Sequence, residues 1–221
     1  MTQQFTETLP RSAWQNVVIN ENNEPLVLLL ETDRLKTGIV GKKYKPRFYV
    51  RKTIADKLYG IANSLPKGIC LVVIEGYRST QDQQNTWDNA FALLKKENPT
   101  WSDEVINQKV GLVVAKPLPL ANHHCGGAVD VTLMRSDGTL LDMGTPYPSE
   151  ALGTEWYEKF PMLSKKVDSW HKRNRQLLRN AMQVKGFVWY PGEWWHYCWG
   201  DRMWAVYSGR TECYYGSVEL P

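Results

Sequence analysis

Residues 192–200, GEWWHYCWG, set a glutamate and a histidine three positions apart inside an almost unbroken aromatic run. No other stretch constrains the fold as much. Trp194, Trp195, Tyr197 and Trp199 belong in a core. Glu193, in contrast, is charged at neutral pH, and His196 is readily recruited to a metal. Burying such groups is costly unless each finds a partner. The segment must therefore lie where other polar side chains reach it.

A regular strand would send Glu193 and His196 to opposite faces. Pro191-Gly192 just before them makes a bend, with Glu193 at the mouth of the strand and His196 inside it. A matching anomaly lies upstream. His123 and Asp130 are seven apart, joined by HCGGAV, and Gly126-Gly127 rules against one continuous helix. The expected arrangement is a loop histidine and a carboxylate near the start of the next strand, turned toward one spot by the glycines. Asp130 interrupts the apolar alternation of AVDVTLM, where a divalent cation would balance its charge. Two histidines and one carboxylate form a common catalytic zinc set with a fourth position left for water. A second carboxylate off the metal supplies the general base that hydrolysis needs. His124 is an alternative ligand, with the spacing to Asp130 favouring His123.

EGYRS (75–79) adds a cation. Arg78 follows an apolar run, ICLVVIEGY, and a glycine, a position at the end of a sheet. A guanidinium held there can stabilise an oxyanion or grip a substrate carboxylate. Cys125 and Cys198 flank the candidate ligands and read as small buried neighbours.

The rest of the chain reads as α+β, with helices grouped before and between strands and a largely antiparallel sheet. Strands are expected at 26–31, 69–77, 128–134, 186–190 and 194–199. Helices are expected over 51–65, from a cap at Thr80, from a cap at Ser102, and from Ser164 to Lys185. In the last of these Val167, Trp170, Leu177, Leu178 and Ala181 share a face and His171 is exposed. Residues 115–127 and 142–162, rich in Pro and Gly, read as loops.

At 221 residues the chain is long enough for one domain with a substantial core. A net charge of +4, dispersed along the sequence, does not indicate a nucleic-acid partner. The run HKRNRQLLR (171–179) is read as a solvated helix face. PLVLLLE at 25–31 is too short to span a membrane, and MTQQFTETLPRSAWQNVV has no signal-peptide pattern. The four cysteines form no C-x-x-C pair, so reduced thiols and a cytoplasmic location are expected.

EGYRS, HHCGGAVD and EWWH, in this order, resemble the three signatures of the zinc D-alanyl-D-alanine dipeptidases related to VanX, grouped structurally with D,D-carboxypeptidases and the hedgehog signalling domain. The H-x-x-G-x-A-x-D pattern falls on His123, Gly126, Ala128 and Asp130, and E-x-W-H on Glu193, Trp195 and His196. The resemblance covers about residues 25–200. It implies a hedgehog/D,D-peptidase-like fold: one peptidase domain over 1–221, with 1–24 and 203–221 as extensions. It also implies one zinc on His123, Asp130 and His196, Glu193 as base, and Arg78 at the transition state. The implied substrate is a small peptide containing D-amino acids, D-Ala-D-Ala first. D,D- or L,D-carboxypeptidase action on peptidoglycan peptides, and a non-catalytic zinc-stabilised binding domain, are the alternatives. Ala121 replaces the serine usual two before the first zinc histidine. Pro148 stands where the dipeptidases carry an aspartate for the substrate's amino group, with Glu150 nearby.

Overall fold

Two long apolar runs build the centre of the molecule. The computed structural model describes residues 3–10, 12–38, 47–111, 114, 122–147 and 156–220. Along it run a helical turn α1 (Ser12–Gln15) and strands β1 (Val18–Ile19), β2 (Leu26–Leu28), β3 (Leu35–Thr37) and β4 (Tyr49–Arg51). Helix α2 (Lys52–Ser64), strand β5 (Ile69–Glu75) and helices α3 (Thr80–Glu97) and α4 (Asp103–Val110) follow. A 3-10 turn at Asn122–Cys125 leads into β6 (Ala128–Arg135). Then come α5 (Ser169–Val184), β7 (Val188–Trp189), β8 (His196–Cys198), α6 (Arg202–Tyr207) and β9 (Glu212–Cys213).

The main sheet has the order β3-β5-β6-β8-β7. Only β3 and β5 are parallel; the other three pairings are antiparallel, as the α+β reading expects. β5 and β6 lie in the middle, which is why both read as nearly continuous apolar sequence. Ile54, Leu58 and Ile61 of α2 and Leu178 and Met182 of α5 share the main core with Leu71, Val73, Val131 and Leu133 of the sheet. Each such fully buried aliphatic side chain contributes roughly 1.5–3 kcal/mol. A second core joins both ends of the chain. Val17 packs there with Ala128, Val188, Cys198 and the α6 residues Met203, Trp204 and Tyr207, and β1 pairs with β9. The helices α3 and α4 close their own small cluster around Trp87, Leu94, Ile106 and Val110. Among the described residues no helix is long and apolar enough to cross a membrane.

Pairing register aligns the chemistry. Asp130 on β6 stands opposite His196 on β8 and opposite Glu75 on β5. The second pairing depends on a bulge between Val73 and Glu75, since Val73 pairs with Val131. Without the extra residue Ile74 would face Asp130. Bulges re-aim side chains in this way beside active sites. Directly opposed residues share a face, so a carboxylate, a carboxylate and a histidine line up across three strands.

Several expected elements differ in extent. Ser79, one residue before Thr80, caps α3 by accepting from Asp82 N–H. The strand expected at 26–31 is ordered as β2 over only three residues, and those expected at 186–190 and 194–199 shorten to β7 and β8. The helix expected from Ser164 begins at Ser169. Ser164 Oγ accepts from Lys166 N–H and donates to the Glu158 carbonyl, so this stretch is held as a turn. His171 Nδ1 then accepts from Asp168 N–H. His171 is thus tied into the helix start, with its side chain only 12% exposed, whereas Trp170, expected on the core face, is 43% exposed.

Candidate active site

The 3-10 turn, β6 and β8 bring His123, Asp130 and His196 together. Gly126 makes the turn feasible: its φ is +71°, and a Cβ there would lie 2.3 Å from Leu26 Cδ2. Arg51 ties the turn down, Nε donating to the Cys125 carbonyl at 2.8 Å and N–H to the Gly126 carbonyl at 3.0 Å. His123 Nδ1 is 2.7 Å from the Gly76 carbonyl oxygen, an acceptor, so Nδ1 carries the proton and Nε2 offers a lone pair. That Nε2 lies 3.4 Å from Asp130 Oδ1, and His196 Nδ1 lies 3.0 Å from the same oxygen. Gly76 has to be glycine for this. A Cβ would come within 2.6 Å of the Tyr49 carbonyl oxygen.

All three residues are buried, and their ligand atoms lie within 4.8 Å of one another. Two imidazole nitrogens and one carboxylate oxygen suit zinc. Burial alone would raise the Asp130 pKa, but His123 and His196 outweigh it and hold the carboxyl well below its usual range. It is therefore anionic and ready to ligate. Tyr147 donates to Asp130 Oδ2 at 2.5 Å, leaving Oδ1 as the oxygen shared with the histidines. His124, the alternative ligand, turns away: its Nδ1 is 2.5 Å from the Arg78 carbonyl oxygen. Burial pushes His124 below its ordinary pKa.

Arg78 is held by Glu75, which is fully buried. Nε donates to Oε1 at 2.8 Å and Nη2 to Oε2 at 2.5 Å, while Nη1 donates to Gln83 Oε1 at 2.7 Å. Burial works against the guanidinium charge, but Glu75 overcomes this and raises the pKa above its ordinary value. Glu193 lies in the turn before β8, half-buried, its N–H donating to the Tyr190 carbonyl at 3.2 Å. The aromatic neighbours are locked on both sides. Trp194 Nε1 donates to Thr145 Oγ1 at 2.8 Å, and the Trp195 ring packs edge-on against Tyr147 and Phe160.

A cavity of about 610 Å³ adjoins this arrangement, bordered by Thr132, Tyr147, Trp156, Lys159 and Trp194. Thr132 is two residues from Asp130 on β6 and so shares its face of the sheet. Tyr147 both lines the cavity and bonds the carboxylate. Ala121, Pro148 and Glu150 lie outside the described residues.

Sequence reasoning passed over Glu75, Gln83 and Tyr147. Glu75 had left a signal, a charge closing an apolar run three residues before Arg78. Tyr147 left none, because its role comes from a contact across a loop. Cys198 is more than a small neighbour, its Sγ lying 3.3 Å from His196 Nε2.

A sequence model of the D-ala-D-ala dipeptidase family matches residues 34–215. A D-alanyl-D-alanine dipeptidase of Synechocystis sp. (strain ATCC 27184 / PCC 6803 / Kazusa) is 29% identical over 171 residues, covering 67% of this chain and 69% of its own. A D-alanyl-D-alanine dipeptidase of Escherichia coli (strain K12) is 30% identical over 146 residues, covering 64% of this chain and 63% of its own. Among solved structures, VanYB in complex with D-alanine-D-alanine is similar with a TM-score of 0.50 at 18% identity, covering 93% of each chain. That likeness is one of fold.

Proposed function

Because the chain belongs to the D-Ala-D-Ala dipeptidase family, whose members are zinc metallopeptidases, we propose that it hydrolyses D-Ala-D-Ala-type dipeptides at a zinc held by His123, Asp130 and His196. The observation that carries this reading is the convergence of those three buried ligand atoms within 4.8 Å. When bound, zinc supplies Lewis acidity toward the scissile carbonyl and acidifies an attacking water. Glu193, at the mouth of β8, takes the proton from that water and returns it to the leaving amine. Arg78, clamped by Glu75 and Gln83, presents a fixed positive charge to the oxyanion as it develops. Trp194 and Trp195 wall the site and keep bulk water out, which strengthens both effects. All four cysteines are free thiols, the state that a reducing cytoplasm maintains, and the reading includes that location.

The test is D-alanine release from D-Ala-D-Ala by zinc-loaded protein, beside the Glu193→Ala variant. Release by the parent and a loss of about 10²-fold or more in the variant support the reading. Release only from N-blocked or longer muropeptides would move the assignment to a carboxypeptidase. Equal activity in the Glu193→Ala variant would remove Glu193 from the mechanism.

A further inference from the structure

The cavity beside the site is lined by two irregular segments, Met143, Thr145 and Tyr147 from one and Trp156 and Lys159 from the other. Both segments also brace the aromatic pair next to the metal ligands. Thr145 Oγ1 accepts from Trp194 Nε1 at 2.8 Å, while the Phe160 carbonyl accepts from Trp194 N–H at 3.0 Å. Outside strands and helices, buried backbone carbonyls need other partners. Here one side chain serves both segments. Arg175 of α5 is 1% exposed. Its Nε donates to the Met143 carbonyl at 2.7 Å, Nη2 to the Lys159 carbonyl at 2.8 Å and Nη1 to the Pro161 carbonyl at 2.7 Å. The guanidinium also lies 5.9 Å from the centre of the Trp194 ring. Among the described residues no carboxylate bonds it, and burial lowers its pKa to about 10, so it is a buried cation at neutral pH. A buried charge without a bonded counter-charge is a costly way to fasten loops if fastening were all that mattered. A planar fork of N–H donors does more: it fixes both the distance and the angle between the two segments.

We propose that Arg175 is a positioning residue for the substrate: its guanidinium sets the separation of segments 142–147 and 156–161, and with it the width of the cavity that takes the peptide. The inference rests on the dipeptidase reading above. Arg175 hydrogen-bonds backbone oxygens of the two segments and none of the metal ligands, which stand on the 3-10 turn, β6 and β8. It therefore acts on how tightly the peptide is held rather than on the bond-breaking step. A rise in KM with kcat kept is the signature of such a role.

The test measures kcat and KM for D-Ala-D-Ala, and melting temperature, for the full chain and three variants at saturating zinc, so that changes in metal affinity drop out. If the parent does not hydrolyse D-Ala-D-Ala, the dipeptidase reading falls and this inference with it. Given hydrolysis, Arg175→Lys decides. Its ammonium keeps the charge but lacks the planar fork that serves three carbonyls at once. KM is expected to rise about tenfold, within the roughly 10²-fold that a misplacement of about 1 Å brings, with kcat within about threefold of the parent. Arg175→Met, where it folds, is expected to raise KM further. Ile106→Ala leaves a hole in the separate cluster between α3 and α4; it is expected to lower the melting temperature with KM unchanged. Arg175→Lys with the KM of the parent, or with kcat lost in place of substrate affinity, would overturn the inference. So would Ile106→Ala raising KM as much as Arg175→Lys, because general loosening would then explain both.

Discussion

Replacing Glu75 by Gln tests how Arg78 is held. The Glu75 side chain is fully buried and that of Arg78 only 10% exposed, so solvent screens their interaction little. Two charge-assisted hydrogen bonds join them, at 2.8 and 2.5 Å, each worth roughly 1.5–3 kcal/mol. Gln is nearly the same shape and keeps one acceptor for Nε–H. Its amide then meets Nη2–H donor to donor, and the guanidinium loses the counter-charge bonded directly to it, leaving the Asp130 carboxylate acting on it from farther away. Removing one partner of a buried pair costs about 3–5 kcal/mol, and the surviving bond to Gln83 places this case at the low end, about 3 kcal/mol. For a domain of 150–250 residues each kcal/mol moves the melting temperature by about 2–4 °C, so the expected drop is roughly 6–12 °C. Circular dichroism melts of zinc-loaded protein measure it. A double variant, Glu75→Leu with Arg78→Met, removes both charges and is expected to lose less than half as much stability, because no uncompensated charge is left behind. A single-variant drop under about 3 °C, or a double variant as unstable as the single, would refute the reasoning.

Gly76→Ala forces a Cβ to within 2.6 Å of the Tyr49 carbonyl oxygen; a loss of about 1–3 kcal/mol is expected, together with weaker zinc binding as the carbonyl that orients His123 shifts, read from urea unfolding and chelator competition. Tyr147→Phe removes the hydroxyl that bonds Asp130 Oδ2 while keeping the ring against Trp195; zinc affinity is expected to fall about tenfold, and the buried carboxylate oxygen that loses this donor is expected to cost the metal-free protein about 1–3 kcal/mol, read from its urea unfolding. The Asp130 carboxyl is buried, yet the two histidines hold its pKa below the unfolded value. Its stabilisation of the metal-free fold is therefore fully present above about pH 4 and is lost as pH falls through the folded value. Urea unfolding of chelated protein across the acid range checks this: the parent should lose stability more steeply than Asp130→Asn, and equal slopes would contradict it.

How much of this was legible in the sequence depended on the range of the interaction responsible. Helix α4 lies where its Ser102 cap and apolar spacing place it, and β5 and β6 coincide closely with their apolar runs, because these signals are local. The start of α5 was misread by five residues, since the deciding contacts were the Ser164 turn and the reach of His171 back to Asp168. At the site, the motif strings identified His123, Asp130, His196, Glu193 and Arg78 as residue types suited to metal chemistry.

What the sequence by itself determined was local: which segments could be buried strands, where helices could be capped, and which polar side chains sat too deep in apolar surroundings to lack a partner. Which partner each of them found was decided by the tertiary structure. His123 meets the Gly76 carbonyl across 47 residues, and His196 meets Asp130 across 66. The bulge at Ile74 brings Glu75 opposite Asp130, and a loop folds Tyr147 back onto the same carboxylate. No local pattern encodes these pairings, because each exists only once the sheet has closed and its register has been chosen. That register is set by the burial of one whole face of apolar side chains, and the polar residues of the site are carried into place with it.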